Sequence, residues 1–211
     1  MSGAVAYTAA QTVDHVNREK DDFYPTWPGA TSALLSVEMF DGAIWECASG
    51  EGDMSRVLED AGYSVISTDL VDRSYGEPRV DFLMEWTARA PNIVTNPPFG
   101  LAREFVDKAL SLTTGKVAMF LRLAFLEGVE RGSWLPDTPL ARVWIMSRRV
   151  PMQRGRISEA GDGHGVIAFA WFVWEHGHSG APALGWLDWK DCAVDPRANP
   201  SVATVLPLFP A

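Results

Sequence analysis

The most constraining feature of this sequence is a strand–loop–helix–strand pattern between residues 43 and 69. An apolar run at 43–47 predicts a buried strand, and a loop with two glycines follows at 49–53. Residues 54–61 place apolar side chains on one face of a predicted helix, and a second apolar run at 63–68 ends at Asp69. A helix that connects two such strands makes them parallel neighbours, so this segment predicts the start of a doubly wound α/β sheet.

The same alternation continues along the chain. A single domain is expected over residues 1–211, because this length suits one domain and no repeat or linker interrupts the pattern. Residues 1–22 are expected to form an N-terminal arm and the proline-rich residues 195–211 a loosely packed tail. Further strands are predicted at 79–82, 92–95, 116–121, 141–147 and 166–174, and further helices at 30–39 and 101–112.

Composition and charge exclude several classes of protein. No apolar run approaches the ~18 residues of a membrane span. The two cysteines, Cys47 and Cys192, are too few for a disulfide scaffold or a structural zinc site. We therefore expect a cytoplasmic protein without a membrane partner and without a bound metal. The net charge of −9 argues against sequence-independent nucleic-acid binding, but arginines cluster between Arg131 and Arg156, where a polyanion could dock.

The loop after the first predicted strand has the features of a ligand site. Gly50 and Gly52 allow a sharp turn, and the following helix directs its positive end at a ligand. Glu46, at the strand end, suits a ligand with an ammonium group, and Asp69 is placed to bind two ribose hydroxyls. A GxGxxG dinucleotide fingerprint would need glycine where Ser55 stands, so a nicotinamide-dependent oxidoreductase is disfavoured.

The ordered segments ECASGEGDM, STDL, VDFL and TNPPF resemble the motifs of class I methyltransferases that use S-adenosyl-L-methionine. The resemblance covers residues 24–174 and implies an α/β, Rossmann-like sheet, mostly parallel with an antiparallel last strand and with helices on both faces. It also implies that the glycine loop binds the methionine part of the cofactor, that residue 69 binds the ribose, and that residues 81 and 82 contact the adenine. FYPTWPGAT resembles a leading motif that closes over the cofactor carboxylate. The cofactor-binding residues implied in this way are Tyr24, Thr26, Thr31, Glu46, Cys47, Ala48, Gly50, Gly52, Asp69, Leu70, Asp81, Phe82 and Asn96.

The segment Asn96-Pro97-Pro98-Phe99 is typical of enzymes that methylate an exocyclic or amide nitrogen, and its chemistry explains why. The amino group of adenine is a weak nucleophile because its lone pair is shared with the ring. The Asn96 side-chain oxygen and the Pro97 carbonyl could accept its hydrogens and draw the lone pair out of the ring plane, while the prolines fix the backbone. Phe99 offers a face on which a flipped base can stack. These four residues are the predicted catalytic residues.

The preferred hypothesis is direct methylation of adenine N6 in DNA, and segments 67–76 and 122–128 are similar to small phage-type adenine methyltransferases. Methylation of RNA, at adenine N6 or guanine N2, remains an alternative, as do a glutamine side chain and a non-catalytic accessory subunit. Intact Glu46, Asp69 and Asn96 disfavour the accessory subunit. The chain has no room for a separate target-recognition region, so the loops would bind the substrate. The residues expected to do so are Phe99, Arg148, Arg149, Arg154 and Arg156.

Overall fold

The computed structural model describes residues 23–151, 167–190 and 192. Within them the chain forms one eight-stranded sheet in the order β3-β2-β1-β4-β5-β7-β6-β8. The predicted N-terminal arm and the proline-rich tail lie outside the described residues. The strands are β1 (Ile44–Glu46), β2 (Val65–Asp69), β3 (Glu77–Pro78), β4 (Asn92–Thr95), β5 (Lys116–Arg122), β6 (Leu140–Met146), β7 (Phe169–Glu175) and β8 (Ala183–Leu187).

Four α-helices accompany the sheet: α1 (Pro28–Leu35), α2 (Asp53–Asp60), α3 (Ala102–Leu112) and α4 (Val129–Trp134). The predicted helices at 30–39, 54–61 and 101–112 are confirmed with small shifts of their ends. Pro28 at the start of α1 fixes a helical φ, which explains why this helix begins two residues earlier than predicted. Short 3₁₀ turns occur at Phe82–Met84, Phe99–Leu101, Leu123–Leu126 and Leu135–Asp137.

The expected sheet topology is confirmed. Strands β1, β2, β3, β4 and β5 are mutually parallel, and β7 runs antiparallel to both of its neighbours, β5 and β6. β7 is the last strand that the sequence predicted, so the expected antiparallel last strand is present. The chain proceeds outward on one side through β1, β2 and β3, and on the other through β4 and β5. The order therefore reverses between β1 and β4, where open α/β sheets bind their ligands.

Two details of the sheet differ from the sequence prediction. The strand expected at 79–82 is wrong: β3 covers Glu77–Pro78, and the following segment turns into a 3₁₀ helix capped by Asp81, whose Oδ1 accepts a hydrogen bond from the Leu83 N–H. The strand β8, parallel to β6, was not predicted, because its five residues include a glycine. That glycine, Gly185, lies against the Trp144 ring of β6, where a larger side chain would not fit.

Alternate residues of the central strands pack into two separate cores, one on each face of the sheet. On one face, Val117, Met119 and Leu121 of β5 pack against α3. On the other, Ala118 and Phe120 pack with α1 and α2. This period of two, with fully buried strands, is expected of a sheet covered by helices on both faces. In the ranges 23–151 and 167–190, no helix has the length and apolarity that a membrane crossing requires.

Candidate functional site

A cavity of about 440 Å³ opens where the strand order reverses. The carboxyl ends of β1, β2 and β4 form its floor, and the segment before α1 forms one wall. Among the predicted cofactor residues, those that line the cavity are Tyr24, Thr26, Glu46, Cys47, Ala48, Asp69, Leu70, Asp81, Phe82 and Asn96. Sequence order alone therefore brought together residues that are up to 72 positions apart.

Glu46 is almost fully buried at the end of β1, beside the cavity. Its carboxylate accepts a hydrogen bond from Ser55 of α2, whose hydroxyl oxygen lies 2.7 Å from that of Ser67. Burial raises the pKa of Glu46 well above its usual value, and the nearby carboxylates of Asp69 and Asp53 raise it further, while the Ser55 hydrogen bond opposes this shift. A ligand ammonium group at this place would favour the ionised carboxylate.

Gly50 and Gly52 both have positive φ values, +57° and +83°, which require glycine at these positions of the turn. Neither glycine lines the cavity: the Phe23 ring covers Gly50, and the Tyr75 ring covers Gly52. The Gly50 N–H donates a 2.8 Å hydrogen bond to Asp69 Oδ2. The glycine loop thus orients the carboxylate that faces the cavity rather than exposing its own backbone.

Asp69, nearly buried at the end of β2, is held from both sides. Besides the bond from Gly50, its Oδ1 accepts a 2.8 Å hydrogen bond from the Val71 N–H. Each carboxylate oxygen keeps a second lone pair for a ligand. A carboxylate fixed in this way can accept hydrogen bonds from two adjacent hydroxyl groups, as the ribose prediction requires.

Asn96 has an unusual hydrogen-bonding arrangement. Its Nδ2 donates to the Tyr24 carbonyl and to Thr26 Oγ1, each at 3.0 Å. Because a backbone carbonyl can only accept, these contacts fix the orientation of the amide. The Oδ1 atom is then left buried without a hydrogen-bond partner. Buried polar atoms are rarely left so in folded proteins, and an exception at a cavity indicates a position reserved for a ligand hydrogen.

Phe99 begins the 3₁₀ turn after the two prolines and is covered by other side chains. The Tyr24 ring stacks on it with centroids 5.5 Å apart, and the Phe169 ring contacts it at 5.8 Å. The guanidinium of Arg122 lies 4.7 Å from the ring centre. A base that stacks on Phe99 therefore has to replace one of these neighbours.

The end of the cavity assigned to an adenine ring is apolar. Phe82 is buried and packs between Trp45 and Phe105, with ring centroids 5.1 Å and 4.9 Å away. Leu70 and Leu83 complete the lining there. Two predicted cofactor residues contribute differently: Asp81 caps the adjacent 3₁₀ turn, and Thr31 lies fully buried in α1 outside the lining.

The predicted substrate arginines fall into two groups. Arg148 and Arg149 are exposed just after β6, whose carboxyl end lies at the same edge of the sheet as that of β5. The Arg148 Nε donates to Asp188 at 2.5 Å, and the Arg149 carbonyl accepts a hydrogen bond from Trp189. Arg154 and Arg156 lie outside the described residues.

Sequence reasoning missed several residues around the cavity. Ser55 was regarded only as a departure from a glycine fingerprint, although a small hydroxyl one helical turn from the loop could have indicated a partner for Glu46. Phe23 and Tyr75 gave no signal, because their contacts with the glycines depend on the folded chain. Arg122, at the carboxyl end of β5, could have been found from its place at the ligand-binding edge of the sheet.

Comparisons with known structures agree with this architecture. The methyltransferase subunit of a type I restriction-modification system from Streptococcus thermophilus is similar with a TM-score of 0.50 and 12% identity over 79% of this chain, which spans 47% of that protein. The 23S rRNA methyltransferase ErmE is similar with a TM-score of 0.48 and 19% identity, over 72% of this chain and 68% of ErmE. A dimethyladenosine transferase from Plasmodium falciparum has a TM-score of 0.46 and 11% identity, over 72% of this chain and 63% of that chain.

At such identities the likeness establishes the fold alone. The Rossmann-like methyltransferase sheet predicted from the sequence is confirmed by the strand order and by the first of these similarities. No protein-family model and no curated protein sequence matches the chain.

Proposed function

We propose that this protein transfers a methyl group from S-adenosyl-L-methionine to the exocyclic N6 of adenine in DNA. The observation that carries the proposal is the buried, unpartnered Oδ1 of Asn96 beside the cavity. An acceptor with no internal partner, held by two hydrogen bonds at its other end, is suited to receive a hydrogen of an amino group.

The residues around the cavity fit the cofactor. Glu46 lies where the ammonium group would be, Asp69 has two oriented oxygens for the ribose hydroxyls, and Leu70, Leu83 and Phe82 form an apolar end for the adenine. The volume of about 440 Å³ lies within the range of small-molecule sites. When bound, S-adenosylmethionine supplies an electrophilic methyl group carried by a sulfonium.

The chain contributes activation and orientation of the amino nitrogen. Asn96 Oδ1 accepts one amino hydrogen and thereby makes the nitrogen lone pair available. Pro97 and Pro98 restrict the backbone so that this acceptor keeps its place in the free protein. An interaction that strengthens as the nitrogen becomes more positive lowers the barrier without stabilising the bound substrate equally.

Transfer is proposed to be direct, without a covalent enzyme intermediate. Cys47 is the described thiol at the cavity, and burial raises its pKa, so that it remains protonated. A nucleophilic cysteine needs a lowered pKa. The amino nitrogen itself is therefore the nucleophile.

DNA is preferred as the substrate because positive side chains lie at the edge of the sheet that carries the cavity. Arg122, Arg148 and Arg149 are at the ends of β5 and β6. With strands about 4.8 Å apart, β6 is about 14 Å from β4, a distance over which a nucleic-acid backbone can contact both. RNA would use the same contacts, so adenine or guanine methylation in RNA is the alternative outcome of the test.

The test is incubation with labelled S-adenosylmethionine and separate samples of duplex DNA, single-stranded DNA, RNA and protein, followed by mass spectrometry of nucleosides and amino acids. N6-methyladenine formed from DNA supports the proposal. Label only in RNA or only in protein contradicts it, as does S-adenosylhomocysteine binding without any methylation.

Asn96→Ala should abolish most turnover, by 100-fold or more on the scale of about 10²–10³ for loss of one transition-state hydrogen bond, while S-adenosylhomocysteine binding is kept. Asn92→Ala is the matched control at the other end of β4. The Asn92 amide bonds to Asp41, Ala43 and Lys116, so its loss should lower the melting temperature instead. Wild-type turnover by Asn96→Ala would contradict the proposed role.

A further inference from the structure

Arg122 is the last residue of β5 and lies next to the NPPF segment. β4 and β5 are parallel neighbours, so their carboxyl ends reach the same edge of the sheet. The guanidinium lies over the Phe99 ring, 4.7 Å from its centre. Arg122 also pairs in register with Phe169, whose ring contacts Phe99. These contacts hold a positive charge at the aromatic ring assigned to the target base.

The charge of Arg122 has no carboxylate partner among residues 23–151 and 167–190. Its Nε is buried and has no hydrogen-bond partner either. Arg142 provides the contrast, since Glu38 and Glu175 both bind its guanidinium. A buried charged donor without an acceptor is destabilising unless a ligand supplies one, and the matching ligand group is an anion.

We propose that Arg122 binds the phosphate group of the nucleotide whose base lies on Phe99. This inference rests on the function proposed above and adds to it the residue that anchors the target nucleotide. The planar guanidinium can donate two parallel hydrogen bonds to phosphate oxygens, a geometry that lysine cannot reproduce. As a base comes to lie on Phe99, its own phosphate enters the same part of the site and supplies the missing acceptor.

The experiment compares wild type, Arg122→Ala and Arg122→Lys on the oligonucleotide that the wild type methylates. Two further oligonucleotides each carry one neutral methylphosphonate, on the 5′ or the 3′ side of the target adenosine. Arg103→Ala is the control, because Arg103 lies nearby on α3, about half exposed, and pairs with Asp107. KM and kcat, S-adenosylhomocysteine affinity and melting temperature are measured for each variant.

Arg122→Ala should raise KM for DNA by about 10- to 100-fold, the range of a lost charge-assisted hydrogen bond, with a smaller change in kcat. The slope of log affinity against log salt should fall by about one unit. Arg122→Lys should be intermediate, and it carries the test if Arg122→Ala does not fold. One of the two neutral linkages should raise the wild-type KM by a similar factor and have no further effect on Arg122→Ala.

Separate outcomes distinguish this inference from the proposed function. A wild type that methylates no nucleic acid overturns both. An active wild type with an unchanged KM in Arg122→Ala overturns the Arg122 inference alone. If the substitution and either neutral linkage multiply each other's effects, Arg122 contacts another part of the substrate, and the phosphate assignment is wrong.

Discussion

At the scale of single residues, Glu46 couples burial to ligand binding. Its carboxyl lies in the protein interior, and burial, together with Asp69 and Asp53, raises its pKa well above the usual value near 4.5. The hydrogen bond from Ser55 opposes the shift without cancelling it. A cationic ligand group beside Glu46 would therefore have to displace a proton over the pH range between the usual and the raised pKa.

The affinity of the wild type for S-adenosylhomocysteine should fall as the pH is lowered through the raised pKa, by up to about tenfold per pH unit. Glu46→Gln should show weaker affinity without this pH dependence. Stability changes in the opposite direction. A raised carboxyl pKa stabilises the fold below pH 4.5, and this contribution is lost as the pH rises through the raised pKa. Calorimetric titrations at several pH values provide the measurement, and parallel curves for the two proteins would contradict the assignment.

The sequence predicted those site residues that follow from strand order. Glu46, Asp69 and Asn96 each come directly after or at the end of a buried strand, and parallel strands bring such ends together. Ser55 and Arg122 were missed, because their contacts depend on side-chain directions that no periodicity specifies. The free face expected on Phe99 was also not predictable, since Tyr24 and Arg122 reach it from distant parts of the chain.

At the scale of elements, the glycine loop between β1 and α2 shows what sequence pattern can predict. Its position and its glycines were predicted, and the positive φ values of both glycines agree with a sharp turn. Which groups fill the space beside them was not predictable. Gly50 makes room for the Phe23 ring and donates to Asp69, so the loop connects the segment before α1 to the end of β2.

Gly50→Ala should weaken S-adenosylhomocysteine binding, because the new methyl group collides with Phe23 and shifts the N–H that orients Asp69. Gly62→Ala is the control: Gly62 has a similar positive φ of +92°, and its Cβ would meet open space. Both substitutions should cost about 1–2 kcal/mol of stability from backbone strain. Only Gly50→Ala should change the calorimetric affinity, and equal affinities in the two variants would contradict this role of the loop.

At the scale of the whole molecule, the two edges of the sheet serve different purposes. The carboxyl edge holds polar atoms without partners, Asn96 Oδ1 and Arg122 Nε. The opposite edge, where β5 and β6 begin, holds a closed ionic network in which Glu38 binds both Lys116 and Arg142. Unsatisfied groups are tolerated at the ligand edge because the satisfied network and the two cores provide the stability.

Glu38→Gln should therefore lower the free energy of unfolding at pH 7 by about 3 kcal/mol, the scale for removing one partner of a buried pair, without changing S-adenosylhomocysteine affinity. Burial alone would raise the pKa of Glu38, but hydrogen bonds from Arg142, Lys116 and Trp144 outweigh it and hold the pKa below its usual value. The contribution of Glu38 is thus present above pH 4.5 and disappears as the pH falls through the lowered pKa. In urea unfolding, the difference from the wild type should shrink in acid, whereas the exposed control Glu130→Gln should show almost no difference at either pH. A loss of ligand affinity in Glu38→Gln at unchanged stability would mean that the two edges of the sheet are coupled.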